Sequence, residues 1–159
     1  MISIFSSKFD RLVSRYFEPL ADRTGLKLVK VSHGIFEIAG KTFVVRIRLG
    51  TGHKTDFLVT LSSEKSKKDI ADLSNEIGLG VIAEYYKQPL RSQDFASDEE
   101  IHSAFLEAAN TTEALCLPYL LGIRDSVADI LEFVEEKIAS SGIRDKKYRF
   151  PPNVREEWL

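Results

Sequence analysis

Apolar side chains near the start of the chain recur at steps of three and four residues. This spacing places them on one stripe of an α-helix, which is predicted over residues 5–20. Ser6 or Ser7 would cap its start and Gly25 would end it, while Pro19 would bend or shorten the last turn. The stripe consists of Phe5, Phe9, Leu12, Val13, Tyr16, Phe17 and Leu20. We expect this stripe to pack on the protein's own sheet.

From Leu26 to Leu61 the apolar residues follow a period of two, which is typical of β-strands. Four strands joined by short turns are predicted, with the sequences LKLVKV, IFEI, KTFVVRIRL and DFLVTL. A two-residue turn at Ala39-Gly40 places Phe36 opposite Phe43. The strands therefore form an antiparallel meander.

One face of this predicted sheet is apolar and the other is charged. The inward row is Phe36, Ile38, Phe43, Val45, Ile47, Leu49, Phe57, Val59 and Leu61. The outward row holds Glu37, Arg46 and Arg48. This alternation is typical of an antiparallel sheet that is covered on one face only. We therefore expect Arg46→Ala to be nearly neutral for stability.

The second half of the chain has mainly helical periodicity. Ser97 and Glu100 form a capping box ahead of a helix predicted over residues 98–110. Another helix follows Asp125 or Ser126 and carries the apolar residues Val127, Ile130, Leu131, Val134 and Ile138. The apolar run between these helices fits a buried helix and a fifth strand at 113–121 equally well, because Pro118 and Gly122 interrupt it.

These elements predict an α+β fold. An N-terminal amphipathic helix is followed by a four-stranded antiparallel β-meander and by a mostly helical C-terminal half packed on one sheet face. Residues 1–142 form a single domain. Residues 143–159 form an extended tail that packs on the domain or on a partner.

Composition narrows the class of protein without identifying its function. The chain has 159 residues, of which 43% are hydrophobic and 29% are charged, as in ordinary globular proteins. Its formal net charge of −2 does not favour binding to nucleic acid. Its single cysteine suits a reducing compartment. The longest apolar run, ALCLPYLLG, is short of the ~20 residues that span a membrane. We expect a soluble cytoplasmic protein with no membrane partner.

Two glycine-containing stretches resemble nucleotide-binding loops. GTGHKT at residues 50–55 has His53 between its glycine and lysine, and a predicted strand follows it where a phosphate-binding loop needs a helix. GLG at residues 78–80 follows the stretch KDIADLSNEI, which is predicted to be helical where a dinucleotide site needs a strand. We interpret the first stretch as a hairpin loop and the second as a break in a helix.

The residues that most often carry chemistry have ordinary explanations here. His33 and His53, with Asp56 nearby, fall in turns at one end of the sheet and could approach each other as metal ligands. We expect solvated histidines at both turns and at His102. Cys116 lies among leucines, and burial makes such a thiol inert. We therefore predict no catalytic residue, no cofactor and no metal, and we lean against an enzyme.

The sequence favours a non-catalytic protein-binding module whose partner is another protein, and it leaves a homodimer open. Small bacterial effector chaperones and toxin-immunity proteins have a similar size and architecture, although no motif matches them residue by residue. The expected partner contacts are Tyr85, Tyr86, Arg149, Phe150 and Trp158.

Two alternatives remain open at this point. One is a small ligand-binding protein or enzyme with a pocket between sheet and helices, lined by Phe36, Phe43 and Phe57. The other is RNA binding through the basic, aromatic tail.

Overall fold

The computed structural model describes residues 2–50, 57–63, 76–90 and 97–141. Within these residues, an N-terminal helix precedes an antiparallel sheet, and a helical C-terminal half follows it, which confirms the α+β class. The strands are β1 Leu28–Ser32, β2 Ile35–Ala39, β3 Phe43–Leu49, β4 Phe57–Ser63 and β5 Glu76–Gly78. The helices are α1 Ile2–Thr24, α2 Leu79–Tyr85, α3 Asp98–Thr111, α4 Leu117–Leu120 and α5 Ala128–Ser141. Residues 142–159 lie outside the described part of the chain, so the division at 142/143 stays a prediction.

The sheet is a simple meander in which chain order and spatial order agree, β1-β2-β3-β4-β5. Each neighbouring pair is antiparallel, and the four predicted strands are confirmed. The fifth strand was predicted to be helical. It is short, and it places Ile77 in the core while Glu76 points to the opposite face, where Glu76 meets the arginines of β3.

Helix α1 begins before Ser6 and Ser7 and ends just before Gly25, so the predicted cap is wrong and the predicted stop is confirmed. Gly25 has a φ of +74°, which a glycine adopts readily. Its amide and the amide of Leu26 close the last turn by donating to the carbonyls of Asp22 and Ala21. The helix also continues through Pro19 to Thr24, although an interior proline lacks the amide for one backbone hydrogen bond.

The turn between β2 and β3 lies two residues further along the chain than predicted, at Lys41-Thr42, where the Gly40 amide donates to the Phe43 carbonyl at 2.8 Å. Ala39 pairs with Val44, and Phe36 therefore lies opposite Ile47 instead of Phe43. The same turn contacts the C-terminal half, since the amide of Lys41 donates to the carbonyl of Leu120 at 3.1 Å. The predicted register is wrong by four residues. Because four is an even number, every side chain keeps its predicted face.

The predicted choice between helix and strand at 113–121 is resolved in favour of helix. Residues Thr112–Cys116 form a π-helical turn that leads from α3 into α4. The buried positions recur at helical steps, and they are Thr112, Leu115, Cys116, Tyr119 and Leu120. Pro118 lies in the first turn of α4, where a proline is tolerated because the first turn needs no amide donors.

The predicted starts of the two long C-terminal helices are confirmed. The Ser97 hydroxyl accepts from the amide of Glu100 at 3.2 Å, which caps the start of α3, and it donates to the Glu100 carboxylate at 3.0 Å. The Ser126 hydroxyl accepts from the amide of Ala128 at 3.1 Å at the start of α5.

The core lies between the apolar sheet face and the helices. Phe36 packs edge-on against Phe9, Phe43 packs edge-on against Tyr119, and Phe57 stacks on Phe105 at a centroid distance of 4.0 Å. All three phenylalanines expected to line a pocket therefore meet aromatic rings of the helices. Phe36 and Phe43 are buried in the core, and the partly buried Phe57 packs against it.

Candidate functional site

Strand β1 forms one edge of the described sheet, and one side of it is open. Its burial contrasts with that of β3, because four of its five residues are exposed, whereas six of the seven β3 residues are buried. Val29 and Val31 are 50% and 36% exposed. An edge strand carries backbone amide and carbonyl groups that can pair with another chain.

A concavity of about 460 Å³ lies beside this edge, on the sheet face opposite the core. It is lined by Gly25, Leu26, Lys27, Val29, Val31, Glu37 and Ala39. We call it the β1 groove. One wall is the connection from α1 to β1, and the floor is β2. The groove is thus built from an exposed edge and from residues that the turn after α1 brings next to it.

A β-bulge interrupts the outer end of β1. Lys30 pairs with Phe36 and Ser32 pairs with Ile35, so Val31 is the extra residue. The Lys30 side chain lies on the core side of the sheet and donates to Asp10 of α1 at 2.7 Å. Bulges and lysines are features that limit indiscriminate pairing at sheet edges. The regularly paired part of β1 that precedes the bulge is therefore short, Leu28 to Lys30.

Glu37, on the floor of the groove, connects it to a cluster of buried charges. The Arg46 Nε donates to Glu37 Oε2 at 2.5 Å. The Arg46 Nη1 donates to Ser62 Oγ at 3.2 Å and to Glu76 Oε2 at 3.1 Å. Arg46 is fully buried, with a relative exposure of 0%. Glu37 therefore belongs both to the groove and to this cluster.

The other half of the cluster is organised around Glu76. Arg48 Nη2 donates to Glu76 Oε2 at 2.5 Å and Arg48 Nε to Glu76 Oε1 at 3.3 Å, in a two-pronged arrangement. The Thr60 hydroxyl also donates to Glu76 Oε1. Two arginines and two glutamates balance in charge. Arg46 Nη2 is buried without a hydrogen-bond partner.

This cluster corrects the prediction that the second sheet face is solvated. Glu37, Arg46 and Arg48 do share the face that the alternation assigned to them. However, all three are buried, along with Thr60, Ser62 and Glu76. Buried charges of this kind are paired because an isolated one would be very costly. Alternation identified the face, but it did not indicate whether the face was covered.

The tyrosines expected to contact a partner lie elsewhere, beside α5. Tyr85 and Tyr86 are half-buried and pack against the core. The Tyr86 and Tyr119 hydroxyls are 2.7 Å apart, and the Tyr85 ring packs edge-on against Phe133. A role for Tyr85 and Tyr86 in partner binding stays a prediction. Three further expected contacts, Arg149, Phe150 and Trp158, lie outside the described residues.

The candidate ligand and nucleophile residues are found in three different environments. His33 is exposed at the β1–β2 turn, whereas His53 and Asp56 are outside the described residues. His102 is half-buried and not fully solvated as predicted, because its Nδ1 is hydrogen-bonded to the Tyr16 hydroxyl at 2.7 Å. Cys116 is buried as predicted, and burial raises the pKa of its thiol to about 12. In the described ranges, no group of three or more His, Cys, Asp or Glu side chains is arranged to hold a metal ion.

The two glycine-containing stretches also differ in outcome. Residues 51–56 lie outside the described part of the chain, but Leu49 and Phe57 on either side pair across an antiparallel hairpin, as predicted. Gly78 ends strand β5 and Gly80 lies in α2, so the interpretation as a helix break is wrong. A dinucleotide site needs a parallel βαβ unit, whereas β5 pairs antiparallel with β4.

The residues that sequence reasoning missed are those of the β1 groove. The available signal was that Leu28, Val29 and Val31 give the first strand apolar side chains on both faces. A strand covered on one side only should have shown a polar second face.

No protein-family model, curated protein or solved structure matches this chain. Within the described residues, no helix is long and apolar enough to cross a membrane. The β1 groove is therefore the feature of the structure that bears on function.

Proposed function

We propose that the protein is a non-catalytic protein-binding module that takes an extended segment of another protein against β1. The observation that carries this proposal is the exposed edge strand with Val29 and Val31 beside a groove of about 460 Å³. In strand addition, main-chain hydrogen bonds to an edge provide affinity, and pockets for alternate side chains provide specificity. The β1 groove offers both features at one place.

The rigidity of the neighbouring sheet supports this role. β2 pairs with β1 on one side and with β3 on the other, and its Glu37 is held by Arg46 at 2.5 Å. A platform that is already ordered loses little conformational entropy when a partner binds. Binding to the β1 groove therefore does not require the domain to rearrange.

Cytoplasmic location is part of the same proposal. Cys116 is a free, buried thiol, which suits a reducing compartment.

A photo-crosslinking experiment tests the proposed function. A benzophenone amino acid replaces Val29 in one variant and Leu106 in a matched control, since Leu106 is 49% exposed on α3. Irradiation in cells of the source organism should link the Val29 variant to another protein, within one short segment identified by mass spectrometry. Adding Val31→Lys to the Val29 variant should abolish that adduct. If both crosslinking positions yield the same adducts, or position 29 yields none, the proposal is wrong.

A further inference from the structure

The groove-facing side chains near the start of β1 form an ordered row. Lys27, Val29 and Val31 all line the β1 groove and follow one another at steps of two residues. A step of two residues spans roughly 6.6 Å along a regular strand, and Val31, the extra residue of the bulge, ends the regular part of this row. From one end to the other, an incoming strand therefore meets a cation and then two apolar side chains.

Lys27 is the cation in this row whose charge is not balanced. It is exposed, and it takes part in no ion pair with the described residues. Glu37, the acid of the groove floor, is held by the guanidinium of Arg46, which balances its charge. The Lys27 end of the groove therefore favours an anionic group.

We infer that the segment bound by β1 carries an acidic side chain opposite Lys27 and apolar side chains opposite Val29 and Val31. This inference rests on the proposed function, and it specifies the partner. Read along the partner, the pattern is acid-x-apolar-x-apolar for a parallel strand and the reverse for an antiparallel one. Opposite charges and apolar pairs stabilise directly facing positions, whereas like charges destabilise them.

A second copy of the chain does not fit this pattern. Residues 27–33 read KLVKVSH and contain no acid. Pairing β1 with itself in any register therefore leaves Lys27 opposite an apolar, hydroxyl or basic side chain. Of the acids beside this strand, Asp10 lies on the core side and is paired with Lys30, and Glu37 is paired with Arg46. Charge complementarity thus argues against pairing of β1 with β1 of a second copy, and the occupant we propose is an acidic and apolar segment of a different protein.

Selection from a displayed library of random peptides, about twelve residues long, tests the inference. The library is panned against the full chain and against Lys27→Glu. We expect the wild-type protein to select Asp or Glu two residues from an alternating apolar pair. The variant should select Lys or Arg at the same place and keep the apolar pair. Each peptide should bind its own protein about tenfold more tightly than the charge-reversed one.

Two controls separate the inference from the proposed function. Arg11→Glu, at an exposed position on α1, changes the net charge by the same amount and should select the same peptides as wild type. Val29→Lys should abolish binding of all of the selected peptides. Peptides that need Val29 but show no charge preference would overturn the inference and leave the proposed function standing.

The remaining outcomes overturn the proposed function as well. If no peptide is selected, or if binding is unaffected by Val29→Lys, β1 is not a binding edge. Size-exclusion chromatography of the protein alone covers the second-copy alternative. A dimer that Val29→Lys converts to a monomer would show that β1 binds a second copy instead.

Discussion

Arg46 is fully buried although the residue pattern around it is that of a solvent-facing strand. It alternates with Val45 and Ile47, both of which face the core. On its own face it pairs with charges from neighbouring strands: Glu37 lies directly opposite on β2 and Glu76 comes from β5. From the sequence, Glu37 and Arg46 could be assigned to the same face, but the predicted register, wrong by four residues, did not pair them. Glu76 could not, since β5 was predicted to be helical.

Burial of Arg46 reverses the expectation that its replacement is neutral. Arg46→Ala should lower the free energy of unfolding by about 3–5 kcal/mol, because it leaves Glu37 and Glu76 without their shared counter-charge in a buried site. Urea unfolding followed by circular dichroism measures this change. Arg46→Lys should also be destabilising, since one ammonium cannot replace the hydrogen bonds to Glu37, Ser62 and Glu76.

The matched control is the half-exposed ion pair between Lys30 and Asp10, on the other face of the same sheet. Lys30→Ala should cost no more than about 1 kcal/mol, because solvent screens such a pair. If Arg46→Ala costs no more than Lys30→Ala, the charged cluster is solvated in solution.

At the scale of elements, the sequence predicted strands more reliably than the connections between them. Residues 26–61 alternate over a long stretch, so the four strands and both of their faces could be read directly. The position of the β2–β3 turn could not, and this turn contacts Leu120, which is far away in sequence. The three-residue strand β5 is too short for a period of two to emerge, and Pro118 obscured the helical steps of α4.

The contact between this turn and α4 makes Gly40 a sensitive position. A Cβ at residue 40 would collide with the backbone carbonyl of Leu120, which cannot move without disturbing α4. Gly40→Ala should therefore lower stability by about 1–3 kcal/mol in urea unfolding. Gly80→Ala is the control, because a Cβ there meets open space and alanine favours the helix by about 0.5–1 kcal/mol. Equal changes in stability from the two substitutions would contradict the contact between the β2–β3 turn and α4.

At the scale of the whole molecule, the groove is a product of tertiary structure. Lys27, Val29 and Glu37 come from the α1–β1 connection and from two strands, and the sheet order places β1 at an edge. The strand pattern identified β1, but edge position depends on how all of the strands assemble. The sequence favoured protein binding as the function. The binding surface that it predicted was limited to the tyrosines and the tail.

Cys116 reports on the integrity of the entire fold. Burial raises the pKa of its thiol from 9.0 to about 12, so above pH 9 the unfolded chain releases this proton while the folded chain keeps it. Below pH 9 the thiol is neutral in both states, and its contribution to the free energy of unfolding is fully present. This contribution is lost as the pH rises toward 12. Cys116→Ala should therefore show a shallower fall in unfolding free energy between about pH 8 and about pH 10 than the wild-type protein.

Thiol labelling provides the second readout. A disulfide reagent should modify Cys116 only as fast as the protein unfolds, because the side chain is 1% exposed. Rapid labelling of the folded protein would contradict a sealed core.

The even-numbered offset in the β2–β3 turn has a consequence for how this chain can diverge. Removing or adding two residues between Ala39 and Phe43 would shift the pairing of β2 with β3, but apolar and charged side chains would stay on their present faces of the sheet. A single-residue insertion would rotate the third strand by half a turn, driving two guanidinium groups into the aromatic interior. Natural variants of this loop should therefore differ in length by an even number of residues.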